Sequence, residues 1–320
     1  MKMRFKVQVK LGITLAVLIY LNINFAQEMR LEIKDRTELT GIPSASGIEF
    51  YRDSFYIIGD NSAWLYHFNT SFQLSTKYQI HAQLNRLTDT IPKKEKPDFE
   101  ATTIVTGLDQ DQLFIFGSGS KSPSRDILVK VDLSNPASFQ SVSLEKFYAQ
   151  LKLGGISELN IEAAVYANGF LYLLNRADNS MIRCAYSEFE LFLKSPDTDL
   201  TFTHHKFVLP IVDNVQAAFS GACIIPGTSK MIFTASVEQT DNWIDDGAIL
   251  GSYVGLIELD NLIDTNEPRL VPLLENGNAL KIKVESITVR SANKHKIKLF
   301  MVTDSDGGSS ELIEANLFDV

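Results

Sequence analysis

A four-part pattern of short apolar runs recurs along the chain and limits the folds that it can adopt. Each unit opens with Ser or Glu followed by a small residue, and the five openings are Ser46-Gly47, Glu100-Ala101, Glu162-Ala163, Ser220-Gly221 and Glu285-Ser286. Further runs rich in β-branched and aromatic residues follow each opening. Four short strands in each repeat are typical of a blade of a β-propeller. The sequence therefore predicts an all-β protein.

The two ends of the chain together supply one complete blade. Residues 285–320 hold only three strand-like runs, and Met29 to Ile33 near the N-terminus supply a further one. A ring closed in this way has no unpaired strand edge that could promote aggregation. We predict a single domain over residues 27–320, a five-bladed β-propeller closed by the N-terminal strand, with six blades as the alternative. Helical periodicity predicts two short helices, Ser143 to Lys152 and Tyr186 to Lys194.

The first 26 residues resemble a secretory signal peptide. Four basic residues precede an apolar stretch from Leu11 to Leu21, which ends before Asn22. A membrane-spanning helix needs about 20 apolar residues, so a retained anchor is the weaker interpretation. We predict that residues 1–26 are removed and that the protein is secreted or periplasmic, without membrane association after cleavage.

The chain is acidic, with 30 Lys and Arg residues against 39 Asp and Glu residues and a formal net charge of −9. Nucleic-acid binding needs a cationic surface, so nucleic acid is not an expected partner. The basic run Lys93 to Lys96 is interpreted as a solvated loop. Cys184 and Cys223 are the only thiols, and the sequence leaves open whether they form a disulfide or stay buried and free.

Hairpin geometry is expected to bring acidic residues together at one mouth of the predicted channel. The residue that opens an inner strand should lie beside the residue that ends the second strand of the same blade. This reasoning predicts a ligand-binding site composed of Asp60, Glu100, Glu162, Arg176, Glu285 and Asp304. Trp243, in an insertion on the same face, could stack on a ligand or only pack its loop. A Glu at the start of a blade can also simply accept backbone N–H bonds.

Carboxylates that converge repel one another unless a cation, a shared proton or an Arg side chain offsets the charge. Hard oxygen ligands suit Ca²⁺ first and Mg²⁺ second. Ca²⁺ is therefore the candidate cofactor, and the candidate metal ligands are Glu100, Glu162, Glu285 and Asp304. The five histidines are scattered and support neither a zinc site nor a Ser-His-Asp triad.

The blade signature, with a small residue at the strand start followed by runs such as Leu299 to Asp304 and Glu311 to Leu317, resembles a known group. It is similar to secreted bacterial β-propellers of the phytase-like or esterase-like-of-phytase type, and to uncharacterised propellers in which Glu-Gly or Ser-Gly opens each blade. The resemblance covers residues 28–320 through short motifs. It implies a propeller, often with calcium near the axis, and phosphomonoester hydrolysis in some members. The cations available for a phosphate pocket are Lys121, Arg125 and Arg176.

Three functions are compatible with these observations. The preferred one is a secreted or periplasmic propeller that binds a small ligand or cation at the acidic mouth, because Glu100, Glu162 and Glu285 occupy the same position in their repeats. The second is a metal-dependent hydrolase of phosphoesters or lactones. The third is a protein-interaction module whose acids only cap turns. The sequence leaves open whether the protein is an enzyme.

Overall fold

Five small β-sheets form a ring in the computed structural model, which describes residues 28–42, 44–81, 90–107, 109–240, 247–304 and 309–320. The innermost strands of adjacent sheets are neighbours all the way around the ring. The predicted five-bladed β-propeller is therefore confirmed. The predicted signal peptide and Trp243 lie outside the described residues.

Each blade is a four-stranded antiparallel meander numbered here from its innermost strand outward. The first blade consists of β2 (Ala45–Tyr51), β3 (Ser54–Gly59), β4 (Trp64–Asn69) and β5 (Leu74–Gln79). The second consists of β6 (Phe99–Val105), β7 (Gln112–Gly117), β8 (Ile127–Asp132) and β9 (Phe139–Ser143). The third consists of β10 (Ile161–Ala167), β11 (Phe170–Asn175), β12 (Ser180–Ala185) and β13 (Phe202–Phe207).

The last two blades have the same plan. The fourth consists of β16 (Ala218–Ile224), β17 (Lys230–Gln239), β18 (Ala248–Glu258) and β20 (Arg269–Pro272). The fifth consists of β23 (Lys283–Ala292), β24 (Lys296–Asp304), β25 (Ser310–Phe318) and, as its outermost strand, β1 (Arg30–Leu39). The minor strands are β14 (Ile211–Val212), β15 (Val215–Gln216), β19 (Thr265–Asn266), β21 (Leu274–Glu275) and β22 (Asn278–Ala279).

The N-terminal strand closes the ring, as predicted. Strand β1 pairs antiparallel with β25, from Arg30 opposite Phe318 to Leu39 opposite Ser310. Leu31 and Ile33 pack against the apolar core of the fifth blade, while Leu39 is buried beside the first blade. The two ends of the chain therefore share one sheet, and the apolar side chains of β1 contribute to the packing on both sides of the joint.

Two helices lie where the apolar spacing predicts them. Helix α1 is Glu145–Leu153 and helix α2 is Tyr186–Lys194, and a single 3₁₀ turn covers Leu259–Asn261. The ring of Phe147 meets that of Phe189 edge to face at 5.0 Å. Since α1 leaves the second blade and α2 leaves the third, their buried faces complete the core between these two blades.

All five inner strands carry the same irregularity at the residue that opens the repeat. The antiparallel register shifts at one position in each inner strand, and the extra residues are Ser46, Glu100, Glu162, Ser220 and Glu285. A β-bulge leaves one residue unpaired and turns its side chain away from the regular pleat. The repeat found in the sequence is therefore a repeat of bulges.

The small residue after each bulge is required by the close approach of adjacent inner strands. A Cβ atom added to Gly221 would lie 2.7 Å from the Cα atom of Ser286 and 2.8 Å from the backbone oxygen of Glu285. A Cβ atom on Gly47 would lie 2.8 Å from a methyl carbon of Thr102. Larger side chains at these positions would push the blades apart.

The two thiols are buried and do not form a disulfide. Cys184 lies in β12 of the third blade, whereas Cys223 lies in β16 of the fourth blade. Each belongs to a different apolar cluster, so the structure answers the question that the sequence left open. Separately, the helices in the described ranges are all too short or too polar to cross a membrane.

Candidate functional site

The hairpins of the first three blades deliver their side chains to one end of the ring by the same backbone contact. The residue after the second strand donates its N–H to the residue two positions before the bulge, from Asp60 to Ser44 at 3.1 Å and from Arg176 to Asn160 at 2.8 Å. Ser118 repeats this contact with Asp98 at 2.9 Å. The bulged residues and these neighbours form the channel mouth, the name used below for this collar.

One half of the channel mouth holds a network of two carboxylates and two cations. The ammonium group of Lys96 contacts the Asp60 carboxylate and lies 2.7 Å from Oδ1 of Asp98. Arg125 also contacts the Asp98 carboxylate, and the Ser118 hydroxyl donates to Oδ2 of Asp98 at 2.6 Å. Burial raises the pKa of Asp60, and the nearby Lys96 opposes that rise. These charges are paired within the protein.

The interpretation of the run Lys93 to Lys96 as a solvated loop is wrong for Lys96. Lys93 and Lys94 are exposed, but the side chain of Lys96 is only 13 % exposed. The carboxylates of Asp60 and Asp98 raise the pKa of Lys96, although its burial acts in the opposite direction. Lys96 is therefore a buried cation of the channel mouth.

The other half of the channel mouth is a chain of alternating charges. Nη2 of Arg176 donates to Oε2 of Glu238 at 2.7 Å, and its Nε lies 3.9 Å from Oε1 of Glu162. Lys283 continues the chain, with Nζ 3.5 Å from Glu238 and 3.0 Å from Oε1 of Glu285. All four side chains named with Arg176 are largely buried. Removing one charge would leave its partner unpaired.

Glu100 lies between these two networks and belongs to neither. It makes no hydrogen bond or ion pair with any residue that the structure describes, although its bulge turns it into the mouth. Burial raises the pKa of Glu100 well above its usual value, and the carboxylates of Asp98 and Glu162 add to this shift. Burial also raises the pKa of Glu285 to about 7, with Lys283 opposing the change. Protonation or a bound cation would relieve the charge on Glu100.

The structure thus gathers five of the seven predicted ligand-binding residues into one constellation: Asp60, Glu100, Glu162, Arg176 and Glu285. Asp304 ends β24 and lies opposite Lys283 in the ladder, at the same end of the fifth blade. The two bulged serines bond to neighbouring groups instead of facing the acids. Ser46 donates to the backbone oxygen of Phe99, and Ser220 donates to the Thr234 hydroxyl at 3.0 Å.

The predicted metal ligands do not form one group. Among the described residues, Asp60, Asp98 and Glu100 offer ligand atoms within 4.8 Å of one another. Glu100 is the one member that the sequence analysis also proposed. The ammonium group of Lys96 contacts the two aspartates, so a metal ion would have to displace Lys96 or bind on the side of Glu100.

The three cations proposed for a phosphate pocket have other environments. Lys121 is exposed. Arg125 contacts Asp98, and Arg176 donates to Glu238. Both arginines therefore already neutralise carboxylates, which makes the channel mouth a poor match for a phosphate group.

Sequence reasoning missed five charged residues of the channel mouth: Lys96, Asp98, Arg125, Glu238 and Lys283. Two of them carried a usable signal. Asp98 and Lys283 lie two positions before the bulged residues Glu100 and Glu285, and alternate residues of a strand share a face. The same spacing places Asn160, which donates to Glu162 at 2.7 Å. Nothing in the sequence pattern connects Lys96 or Glu238 to the mouth.

A further carboxylate lies deeper in the ring. Glu49 is three residues beyond the bulge of β2 and is half-buried. It hydrogen-bonds the Thr102 hydroxyl of β6, and its charge acts on the Cys223 thiol of β16. A side chain that senses two other inner strands points towards the axis. Burial raises the pKa of Glu49 to about 8, and the hydrogen bond from Thr102 reduces the shift.

We expect Glu49→Gln to change the pH dependence of stability. The pKa of Glu49 is about 8 in the folded protein and about 4.5 when unfolded, so the folded state takes up a proton between these values and stability falls as pH rises through that window. The variant should unfold like the parent at pH 5 and be more stable at pH 9 by on the order of 2 kcal/mol, after screening by water in the channel. Thermal unfolding at both pH values measures this difference.

Glu38→Gln is the matched control because Glu38 is exposed on β1. Its unfolding midpoint should track that of the parent at both pH values. A difference between Glu49→Gln and the parent that is equal at pH 5 and pH 9 would contradict the buried, proton-binding state of Glu49.

Comparison with known proteins places the chain in a family without placing its chemistry. A family model described as a family of unknown function (DUF6929) matches residues 41–317. The chain belongs to this family. The match begins just before the first blade and ends in β25, so the DUF6929 region spans the five inner strands and every residue of the channel mouth described above. No curated protein matches the chain.

Solved structures support the fold. The crystal structure of Myxococcus xanthus glutaminyl cyclase is similar with a TM-score of 0.52 at 9% identity, over 91% of this chain and 97% of that chain. The α-L-arabinanase of Cellvibrio cellulosa, solved as a mutant, has a TM-score of 0.43 at 12% identity, over 88% of this chain and 92% of that chain. At such identities the likeness concerns the fold of this DUF6929 member alone.

Proposed function

We propose that the channel mouth binds a small ligand through a cationic group that contacts Glu100. The observation that carries the proposal is the contrast between Glu100 and its neighbours. Asp60, Asp98 and Glu285 each contact a Lys or Arg side chain, whereas Glu100 has no such contact among the described residues. A positively charged group at Glu100 would complete the alternation of charges around the mouth.

The electrostatics favour a cation over an anion at this position. Burial raises the pKa of Glu100, and the carboxylates of Asp98 and Glu162 strengthen this effect. An ammonium group bound there would form charge-assisted hydrogen bonds and reduce the repulsion between these acids. A phosphate or carboxylate at the same place would add to that repulsion.

A divalent cation is the second candidate. The ligand atoms of Asp60, Asp98 and Glu100 lie within 4.8 Å of one another, and a group of carboxylate oxygens suits Ca²⁺. Lys96 opposes this candidate because its ammonium group contacts both aspartates. Under this alternative Ca²⁺ would displace Lys96, and a metal-dependent hydrolase would result only if the bound ion also activated a water molecule.

The expected secretion belongs to the same proposal. A protein exported by a signal peptide would meet small solutes outside the cytoplasm, and its site would be open to them without a partner protein. Residues 1–27 lie outside the described residues. The proposal for Glu100 does not depend on them.

Thermal unfolding in the presence of propylamine or Ca²⁺ tests the proposed function. A ligand that binds only the folded state adds about 2.7 kcal/mol of stability at 100 times its Kd, so propylamine should raise the Tm by several degrees at saturation. Glu100→Gln should remove this response. The same variant should raise the Tm of the ligand-free protein, because it removes a charge that its neighbours repel.

Glu38→Gln on the exposed face of β1 is the control and should keep the full response to propylamine. A Tm shift with Ca²⁺ that disappears in Asp98→Asn would support the second candidate instead. An unchanged Tm with both probes at high concentration would reject ligand binding at Glu100.

A further inference from the structure

Arg176 has an unused hydrogen-bond donor within the channel mouth. Its side chain is 7 % exposed and is held on one side by Glu238, to which Nη2 donates at 2.7 Å. Nε lies 3.9 Å from Oε1 of Glu162. The remaining nitrogen, Nη1, is buried and has no hydrogen-bond partner in the structure. Buried donors are almost always satisfied, so this atom marks a place where an acceptor is missing.

The unused donor of Arg176 and the unused acceptor of Glu100 belong to the same site. The charges of both Glu100 and Glu285 act on the Arg176 guanidinium, and they raise its pKa together with Glu162 and Glu238 against the effect of burial. Arg176 comes directly after β11 in the third blade, and Glu100 opens β6 in the adjacent second blade. A molecule in the mouth can therefore face both groups at once.

The two open groups call for opposite partners. A guanidinium donates hydrogen bonds in a fixed fork that fits a carboxylate or carbonyl oxygen. A carboxylate without a partner accepts hydrogen bonds from an ammonium group. A ligand that satisfies both must carry an amine and an oxygen acceptor close to each other.

We propose that the ligand of the channel mouth is of the α-amino-acid type, with its ammonium group at Glu100 and its carboxylate or carbonyl oxygen at Nη1 of Arg176. This inference rests on the proposed function and specifies its ligand class. A free amino acid and the first residue of a peptide share this chemistry. They differ in the group bonded to the carbonyl carbon, and the probes below separate them.

Calorimetric titration of the full chain with matched small molecules tests the inference. The probes are propylamine, which has the amine alone, propionate, which has the carboxylate alone, and alanine, dialanine and N-acetylalanine. We expect alanine or dialanine to bind at least tenfold more tightly than propylamine. Propionate and N-acetylalanine should bind more weakly than propylamine, since they leave Glu100 unpaired. The tighter of alanine and dialanine identifies a free amino acid or a peptide terminus.

Arg176→Lys separates the acceptor contact from the general charge of the mouth. Lysine keeps a cation between Glu162 and Glu238 but lacks the second terminal nitrogen of the guanidinium. We expect this variant to bind alanine about tenfold more weakly and propylamine with unchanged affinity. Glu100→Gln should weaken both probes. Glu38→Gln should weaken neither.

Three results would overturn the inference. Equal affinities of propylamine, alanine and dialanine would remove the acceptor from the ligand while leaving the proposed function intact. An unchanged preference for alanine in Arg176→Lys would place the acceptor contact elsewhere. No binding of any amine probe to the parent would reject the proposed function and the inference together. The comparison of probes on the parent protein stays decisive even if Arg176→Lys does not fold.

Discussion

A chain that begins at Thr40, and so lacks β1, is expected to lose the closed ring. Strand β1 pairs with β25 along nine registered positions and covers part of the core of the fifth blade with Leu31 and Ile33. Without it, β25 becomes an exposed edge whose unpaired backbone groups can recruit other chains. We expect a loss of at least ~5 kcal/mol and a fall in Tm of roughly 10 °C or more, together with aggregation on heating.

A chain that begins at Glu28 is the matched control, since it retains all of β1. Circular dichroism, thermal unfolding and light scattering of the two shortened proteins measure the effect. Equal midpoints and equal solubility would show that β1 is dispensable, which would contradict closure of the ring as a source of stability.

Replacing Arg176 with methionine should cause the second large effect. Methionine fills a similar volume but leaves Glu162 and Glu238, both more than nine-tenths buried, without their shared cation. Breaking a buried ion pair by removal of one partner costs ~3–5 kcal/mol. We expect the Tm to fall by about 6 °C or more at pH 8.

At lower pH the deficit of Arg176→Met should shrink, because protonation of the two acids removes the uncompensated charge. Arg52→Met is the control, since the Arg52 side chain is 77% exposed and its contact with Asp111 is 3.5 Å. This exposed pair should contribute less than ~1 kcal/mol. Similar Tm losses in the two variants would contradict a special role of the buried charge network.

The fold could be predicted from the sequence because each blade repeats a local pattern. Alternating apolar residues identify strands, and hairpins between consecutive strands are short-range events. The joint of the ring needed one long-range step, the assignment of Met29 to Ile33 to the last blade. That step came from counting strands, since an incomplete sheet would leave an edge exposed. Both helices were predictable from the spacing of residues such as Phe147 and Phe189.

The site could be predicted only in part, for a physical reason. Glu100 and Arg176 occupy positions that the hairpin geometry of a blade determines. Lys96 reaches the mouth from an irregular segment, and its partners are far from it in sequence or in a different strand. No periodicity encodes such ion pairs. The run that contains Lys96 has the composition of a solvated loop, and burial of one of its members became visible only with the structure.

The resemblance to phytase-like propellers predicted the architecture better than the chemistry. The motifs that carried it describe how a strand begins and how a hairpin turns, so they specify blades. Function depends on which side chains stand at the mouth. Here Arg125 and Arg176 bind carboxylates of the protein itself, which favours a ligand with a positive group over a phosphoester.

The shared bulge separates the chemistry of this ring from its construction. Five equivalent inward positions, three occupied by Glu and two by Ser, are fixed by strand pairing rather than by flexible loops. Exchange of one of these side chains alters the collar without altering the register of any sheet. Related rings can therefore diverge in the molecules they recognise through a handful of point substitutions, and a protein engineer could vary the same five positions combinatorially on an unchanged scaffold.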